Sequence, residues 1–476
     1  MKRMVLLLLT LTIAGVWLIA GAGHGLTRSH VVEAGVPLDE VHPAGGGRHP
    51  GVVVAHGFSG SATLMAPFGD TLAARGYVVV LLDFAGHGAN TGPLADEAAG
   101  TAQSTQVLQH DLDVALAHLR SLPDVDPARV ALVGHSMGAG AVTRYAAAHP
   151  DVTATVAISL PDSSVASAER PARLLTLAGA LEFPGFRAVA ADVAAQRADR
   201  AVRIVPFVEH ISILYAPAAH RATVSWLDDA FGGPQNDDPI PFPGRRLAGA
   251  ALLVAAFVLG LYPLARLLSG ERRGWPRFDL PALARVAAVT AVAAGIGAVA
   301  ARFLPTTRLP IAIAGYLVGF AAITGALLLV YGRKRRPAPG RARFALLVPY
   351  AIVAITLPLQ WGMTHMLPAG HRWWLIPIVW AAFALFAYAT ELVAGGNALG
   401  VLTACAVLVI VLVAAAVVGL THGFVLLAVV PLAGLMVWQS LWSAILNRFA
   451  APAWAIALVG SVVVIWPLTA ALPLVG

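Results

Sequence analysis

The 476-residue sequence contains a single cysteine, Cys405. One cysteine excludes an intramolecular disulfide and argues against a thiolate-based metal site. Charge is also scarce, because Asp, Glu, Lys and Arg make up 12% of the residues while apolar residues make up 58%. This composition excludes an ordinary soluble enzyme and indicates that part of the chain lies in lipid.

The net charge of +7 does not concentrate on a surface that could bind nucleic acid. The basic residues cluster instead in two short loops between apolar stretches, near residues 272–277 and 333–343. Such clusters are typical of the cytoplasmic loops of membrane proteins. We therefore expect the lipid bilayer as a partner and no nucleic acid.

Apolar residues are distributed unevenly along the chain. Residues 1–22 carry two basic residues before a long apolar stretch, which predicts a signal peptide or, as its length favours, an uncleaved signal anchor. Residues 30–232 mix charged residues, Gly and Pro as a globular domain does, and residues 233–246 form a linker. Residues 247–476 predict an all-α transmembrane domain of about eight helices. The predicted spans are Leu247–Leu268, Ala282–Leu304, Leu309–Tyr331, Phe344–Trp361, Trp373–Val393, Ala398–Gly419, Phe424–Ile445 and Ala453–Leu472.

The topology follows from threading these spans from a cytoplasmic N-terminus. Nearly all clustered basic loops then fall on the cytoplasmic side, as the positive-inside rule requires. The globular domain is therefore expected outside, on a protein of the bacterial cell membrane. Trp361, Trp373 and Trp374 flank the outer loop Gly362 to Arg372 and are expected to form an interfacial aromatic belt. His365 and His371 in that loop are expected to be solvated.

Strands alternate with helices in the globular domain, which predicts a doubly wound, mostly parallel α/β sheet. The active site of such a sheet lies beyond the carboxyl ends of its strands. Val31–Val41 is expected only as an extended entry. Predicted strands are Pro50–His56, Tyr77–Asp83, a run from Val130, Thr153–Leu160, Ala172–Gly179 and Ala201–Val208, with helices at Ser104–Ser121, Ala139–His149 and Pro217–Phe231.

One stretch carries a chemical signature. Residues 130–140 read V-A-L-V-G-H-S-M-G-A-G, a strand-type run that breaks at glycine and continues into a small-residue helix. A G-x-S-x-G pattern in this setting holds a serine hydroxyl clear of the sheet. Ser136 is therefore the predicted nucleophile.

Four further motifs accompany this turn in chain order: H-G-F-S-G from His56, D-F-A-G-H-G from Asp83, L-A-G-A-L-E from Leu177 and V-E-H from Val208. With them, residues 51–231 resemble the α/β-hydrolases, in particular serine aminopeptidase-like, monoacylglycerol-lipase-like and dienelactone-hydrolase-like members. The segment between Leu160 and Leu174 is too short for the helical cap of many such relatives. We therefore expect a capless, open site.

The resemblance implies a catalytic triad in the order nucleophile, acid, histidine, which Ser136, Glu182 and His210 reproduce. His210 is favoured over the other histidines because it ends the last strand. Asp162 also follows a strand and is the alternative acid. Glu182 is preferred because its longer side chain can span the gap to the histidine and because Asp162 resembles a turn residue.

Backbone N–H groups of Phe58 and Met137 are the candidate oxyanion-hole donors. His56 is expected to brace the loop that carries Phe58, since no partner lies at metal-binding spacing. His135 is expected to pack under the nucleophile turn. Neither a metal nor another cofactor is expected.

These features predict a membrane-embedded serine hydrolase that cleaves a small-molecule or lipid ester, and less favourably a peptide amide, through an acyl-enzyme. Two other functions stay open. The hydrolase fold could serve as a receptor or accessory domain for the membrane bundle, or the bundle could bind or transport a lipid that the domain modifies. Fold alone does not choose among them, and the sequence gives no oligomeric state.

Overall fold

The computed structural model describes residues 2–96, 100–233, 239–269, 272–275, 277–332 and 342–476. The chain divides into two compact units. The first, here the sheet unit, comprises Ala14–Ala250, Leu359–Ala369 and Pro473–Gly476. The second, here the helical unit, comprises Met1–Ile13, Ala251–Pro358 and Gly370–Leu472.

The sheet unit is built on eight strands in the order β1-β2-β4-β3-β5-β6-β7-β8. The first three in this order pair antiparallel, and all later pairs are parallel. The strands are β1 (Thr27–Glu33), β2 (Val36–His42), β3 (His49–Ala55), β4 (Val78–Leu82), β5 (Val125–His135), β6 (Ala154–Ile158), β7 (Leu174–Gly179) and β8 (Ala201–Val205). Helices between and after them are α2 (Ala62–Ala74), α3 (Ala102–Ser121), α4 (Met137–Ala148), α5 (Pro184–Ala195) and α6 (Pro217–Phe231).

Both faces of the sheet are covered, as the apolar runs of its strands require. Side chains alternate along a strand. Val52 and Val54 of β3 therefore pack toward α2 and α6, while Val53 between them packs toward α3 and α4. This layering leaves the carboxyl ends of the parallel strands at one edge, where the candidate residues lie.

The predicted α/β sheet is confirmed, with one addition. The entry segment forms an antiparallel hairpin, β1 and β2, rather than a simple extended approach. Polar residues interrupt the apolar alternation that would have predicted these strands. His30, for example, lies opposite Asp39, and their side chains are 2.7 Å apart. Residues 159–173, all of them described, contain one 3₁₀ turn at Ser163–Val165 in place of a cap.

Nine helices in the described part of the chain are long and apolar enough to cross a membrane. They are α1 (Lys2–Ala20), α7 (Arg245–Ser269), α8 (Leu280–Ala301), α9 (Ala314–Gly332), α10 (Leu347–Gly362, within a span from Arg343), α11 (Arg372–Ala394), α12 (Ala398–Val417), α13 (Val425–Arg448) and α14 (Ala453–Ala471). Helix α9 packs against α8 and α11, and α11 also packs against α14. Helix α12 packs against α8 and α13.

Two segments distant in sequence complete the sheet unit. The backbone of Leu474 donates to Gly86 O at 2.8 Å and accepts from Leu94 N at 2.9 Å. In the loop after α10, Thr364 is buried. Of the two histidines expected to be solvated there, His371 is exposed and His365 is half-buried. Parts of the predicted linker and of the second basic loop, residues 234–238 and 333–341, lie outside the described residues.

Candidate active site

Ser136 occupies the sharp turn between β5 and α4. Its backbone has a φ of 52° and a ψ of −116°, an unusual conformation for a residue other than glycine. The flanking glycines are required by close packing: a Cβ on Gly134 would lie 2.3 Å from Gly138 O, and one on Gly138 would lie 2.4 Å from His56 O. The G-x-S-x-G spacing therefore follows from backbone contacts that no larger residue allows.

His210 lies beside this serine. Its Nε2 is 3.0 Å from Ser136 Oγ, within hydrogen-bond distance. Its backbone is fixed by His135, whose Nε2 donates to His210 O at 2.9 Å. Burial, with a smaller contribution from the charge of His210, holds the pKa of His135 well below its usual value. His135 is therefore a neutral donor that positions the loop of His210.

Glu182 lies on the opposite side of the His210 ring. Its Oε1 is 3.5 Å from His210 Nδ1 and accepts a hydrogen bond from Ser159 Oγ. Glu182 and Ser159 are both buried, and Ser159 has a φ of 56°. Hydrogen bonds of catalytic groups are often long without substrate and shorten when it binds. Sequence reasoning missed Ser159, although its position at the end of β6 was a signal.

Asp162, the alternative acid, is exposed. Its carboxylate accepts from Ser164 N at 2.9 Å and from Ser164 Oγ at 2.5 Å, so it caps the 3₁₀ turn. These two hydrogen bonds lower its pKa. The structure thus brings Ser136, His210 and Glu182 together and gives Asp162 a turn-capping contact.

The loop His56–Ser61 carries the predicted oxyanion donor Phe58 and is called the oxyanion loop here. It runs past Ser136, the predicted nucleophile. A Cβ on Gly57 would lie 3.0 Å from Ser136 Cβ, which shows how closely this backbone approaches. At the start of the loop, His56 donates through Nδ1 to Gly57 O at 2.7 Å and accepts from Phe84 N through Nε2 at 3.1 Å. Burial lowers its pKa, so the ring stays neutral and holds both bonds.

The far end of the oxyanion loop is tied to the loop after β4. Ala62 N donates to Asp83 Oδ1 at 2.7 Å, and Ala89 N donates to Asp83 Oδ2 at 2.8 Å. Burial raises the pKa of Asp83 in spite of these donors. Phe58, one predicted oxyanion donor, therefore lies in a loop with hydrogen bonds near both of its ends. Met137, the other, directly follows Ser136 at the start of α4.

Exposed apolar side chains lie in the two loops that carry Glu182 and His210, and they are called the apolar rim here. Leu181 and Phe183 flank Glu182 and are 66% and 65% exposed, and Phe207 is 90% exposed. Phe186 packs its ring 4.8 Å from the His210 ring. The sequence analysis did not single out this rim, because its members are scattered over two loops.

Residues 48–199 match the protein family described as serine aminopeptidase, S33. Together with the eight-stranded sheet and the turn at Ser136, this match supports a domain of the α/β-hydrolase type in the matched region.

Individual relatives match part of this chain. Cutinase 1 of Thermobifida cellulosilytica is 29% identical over 119 residues, which cover 25% of this chain and 42% of the cutinase. An uncharacterised protein of Mycobacterium tuberculosis is 33% identical over 121 residues, which cover 25% of this chain and 39% of that protein. The chain thus spans about two fifths of the length of these relatives. The predicted enzyme domain of the α/β-hydrolase type is confirmed by the family and cutinase matches.

Solved structures also align with part of this chain. Dienelactone hydrolase from Anabaena variabilis aligns with a TM-score of 0.35 and 21% identity, over 44% of this chain and 98% of its own. Est1E from Butyrivibrio proteoclasticus aligns with a TM-score of 0.35 and 13% identity, over 43% of this chain and 99% of its own.

Proposed function

We propose that this protein is a membrane-embedded serine hydrolase that cleaves carboxylic esters through an acyl-enzyme. The observation that carries the proposal is the 3.0 Å separation between His210 Nε2 and Ser136 Oγ at a strained strand-to-helix turn. A serine hydroxyl is a weak nucleophile until a base removes its proton, and an imidazole is suited to that task near neutral pH.

In the first half of the reaction, Ser136 Oγ attacks the ester carbonyl while its proton passes to His210 Nε2. Glu182 favours the tautomer with a proton on Nδ1 and stabilises the imidazolium that forms. The N–H groups of Phe58 and Met137 donate to the oxyanion. His210 then protonates the leaving alcohol, and the acyl group stays on Ser136.

In the second half, His210 takes a proton from water as the water attacks the acyl-enzyme. Collapse of the second tetrahedral intermediate returns the proton to Ser136 Oγ and releases the carboxylic acid. The same oxyanion donors serve both halves, since both intermediates place negative charge on the same oxygen. No cofactor takes part in the proposed reaction.

An ester with an apolar acyl group is the proposed substrate class. The cutinase relatives favour an ester over a peptide amide. The exposed apolar side chains of Leu181, Phe183 and Phe207 beside the site favour an apolar acyl group, since burying them against it removes apolar surface from water. Small-molecule and lipid esters both fit this description.

The testing experiment compares the purified full-length protein with its Ser136→Ala variant on p-nitrophenyl esters of increasing chain length. We expect Ser136→Ala to abolish measurable turnover and fluorophosphonate labelling and to leave folding intact, because the hydroxyl lies outside the core. Residual catalysis of about 10³–10⁴ over water is the precedent for a triad enzyme without its nucleophile. Undiminished turnover by the variant would remove Ser136 from this role. A folded, unmodified protein that is neither labelled nor active would favour the receptor or accessory function instead.

The cell membrane of a bacterium is the proposed location, with the hydrolase domain outside. The nine long apolar helices found among the described residues support membrane insertion. Lys2 and Arg3 at the start of α1, and Arg272, Arg273 and Arg277 after α7, support a cytoplasmic N-terminus and an extracytoplasmic hydrolase domain.

A further inference from the structure

Ser61 closes the oxyanion loop and is one of its most constrained residues. It is 1% exposed and forms the N-cap of α2, where its Oγ accepts from Leu64 N at 3.4 Å. Loss of such a cap hydroxyl normally affects the first turn of its own helix. Here the hydroxyl has two further contacts, and both come from the segment Leu359–Ala369 of the same unit.

The direction of these hydrogen bonds can be derived. His365 N donates to Ser61 Oγ at 3.1 Å, and Leu64 N donates to the same oxygen. A hydroxyl has two acceptor lone pairs and one proton. Because both lone pairs are engaged, the Ser61 proton is donated to Thr364 Oγ1, which lies 3.0 Å away. Thr364 is 8% exposed, so water does not readily replace it.

The segment that carries Thr364 has its own internal hydrogen bonds. Thr364 N donates to Leu359 O at 2.9 Å, and Met366 N donates to Gln360 Oε1 at 2.6 Å. Met366 is 2% exposed. These contacts hold Thr364 and His365 in a fixed turn, so the segment can restrain the loop that it contacts.

The oxyanion loop is short enough for a restraint at one end to act at its centre. Gly60 N donates to Gly57 O at 2.9 Å, and Ser59 has a φ of 59°, so the residues between form one tight turn. Phe58, whose N–H is the proposed oxyanion donor, lies inside this turn. Its position therefore depends on both anchors, His56 at the start and Ser61 at the end.

We propose that Thr364 is a positioning residue of the hydrolase site, which holds the oxyanion loop through Ser61 and thereby aims Phe58 N–H at the oxyanion. This inference rests on the proposed ester hydrolysis. Since the oxyanion exists only after attack on the carbonyl, a displaced donor lowers kcat and leaves KM nearly unchanged. A displacement of about 1 Å can cost about 10²-fold in rate.

The test compares Thr364→Val, Thr364→Ser and Thr223→Val in the full-length protein. Thr223→Val is the matched control, because Thr223 is another buried threonine of the sheet unit, and its hydroxyl donates to Ala219 O within α6 at 2.9 Å. We expect Thr364→Val to lower kcat by about 10-fold to 100-fold with KM changed by less than about twofold. Thr364→Ser should restore most of kcat, and Thr223→Val should keep it.

Equal kcat values for Thr364→Val and Thr223→Val would overturn the positioning role. Should Thr364→Val yield no folded protein, Ser61→Ala cuts the same link from the other side. That variant must show the same selective loss of kcat, and an unchanged kcat would overturn the role. If the unmodified protein shows turnover that Ser136→Ala abolishes while Thr364 has no effect, the positioning role fails alone. Absence of turnover in the unmodified protein would overturn both proposals.

Discussion

At the residue scale, the proposed acid of the triad can be tested directly against its alternative. Glu182 is buried beside His210, whereas Asp162 is exposed and caps a turn. We expect Glu182→Gln to lower kcat heavily, with a precedent near 10⁴-fold for the loss of an acid in a triad, and Asp162→Asn to keep most of the activity. Both variants are assayed on one p-nitrophenyl ester. A collapse of the Asp162 variant beside a nearly normal Glu182 variant would exchange the two roles.

A buried histidine away from the site governs a predicted response to acid. His220 accepts from Thr71 Oγ1 through Nδ1 at 2.8 Å and donates through Nε2 to Leu214 O at 2.9 Å. Burial lowers its pKa from 6.5 to about 4. The unfolded histidine binds a proton near pH 6.5 and the folded one only near pH 4, so the unfolded state takes up more protons in this interval. Stability is therefore lost as the pH falls from about 6.5 to about 4, by about 3 kcal/mol from this group.

The check is the thermal midpoint of the hydrolase domain across that interval, measured in detergent. His220→Gln removes the titrating group and should flatten the slope of the midpoint against pH, even if the midpoint itself drops. His30→Gln, at an exposed histidine of the same unit, should keep the slope of the unmodified protein. An unchanged slope in the His220 variant would show that other groups dominate the response.

At the element scale, the join between β5 and α4 depends on the lack of a side chain at Gly138. A Cβ there would lie 2.4 Å from His56 O and 2.7 Å from Ala55 O, both backbone atoms that cannot move aside cheaply. We expect Gly138→Ala to cost at least about 1–3 kcal/mol of stability and to abolish labelling of Ser136. Gly140→Ala is the control in the same helix, because its nearest neighbour would be Pro161 Cγ at 3.9 Å. A Gly138→Ala protein as stable and reactive as the control would contradict this account.

The elements of the sheet were predictable because their apolar runs are local signals. The expected strand Ala172–Gly179, for example, is β7 at Leu174–Gly179, and the expected helix Pro217–Phe231 is α6 at the same residues. The hairpin of β1 and β2 was missed because charged and polar residues interrupt its pattern. The contact between Ser61 and Thr364 could not be predicted from the sequence, since nothing in either local sequence indicates a partner some 300 residues away.

Some residues of the candidate site could likewise be predicted from the sequence, and others could not. Ser136, Glu182 and His210 follow strands in a familiar order, so motif and strand position were enough to nominate them. Ser159 and Phe186 belong to no motif, and their roles depend on the path of loops through space. Sequence therefore nominated the groups that would do chemistry and missed several that hold them in place.

At the scale of the whole molecule, the orientation of the chain is the main prediction. A reporter fused after Gly233 should be active only outside the cytoplasm, because Lys2 and Arg3 favour retention of the N-terminus inside. The control is the same reporter fused after Gly274, in the basic loop after α7, where cytoplasmic activity is expected. Paired phosphatase and fluorescent-protein fusions report the two sides. Cytoplasmic activity of the Gly233 fusion would overturn the extracytoplasmic placement.

The parallel bridge between Leu94 and Val475 has a consequence for how the protein is made. The ribosome finishes most of the sheet unit by Ala250 but adds Pro473–Gly476 about 225 residues later. At about 5–20 residues per second, that interval lasts about 10–45 s. During this time the loop around Gly86 lacks the segment with which its backbone pairs. This edge of the sheet unit can therefore close only after the helices between Ala250 and Pro473 have been synthesised.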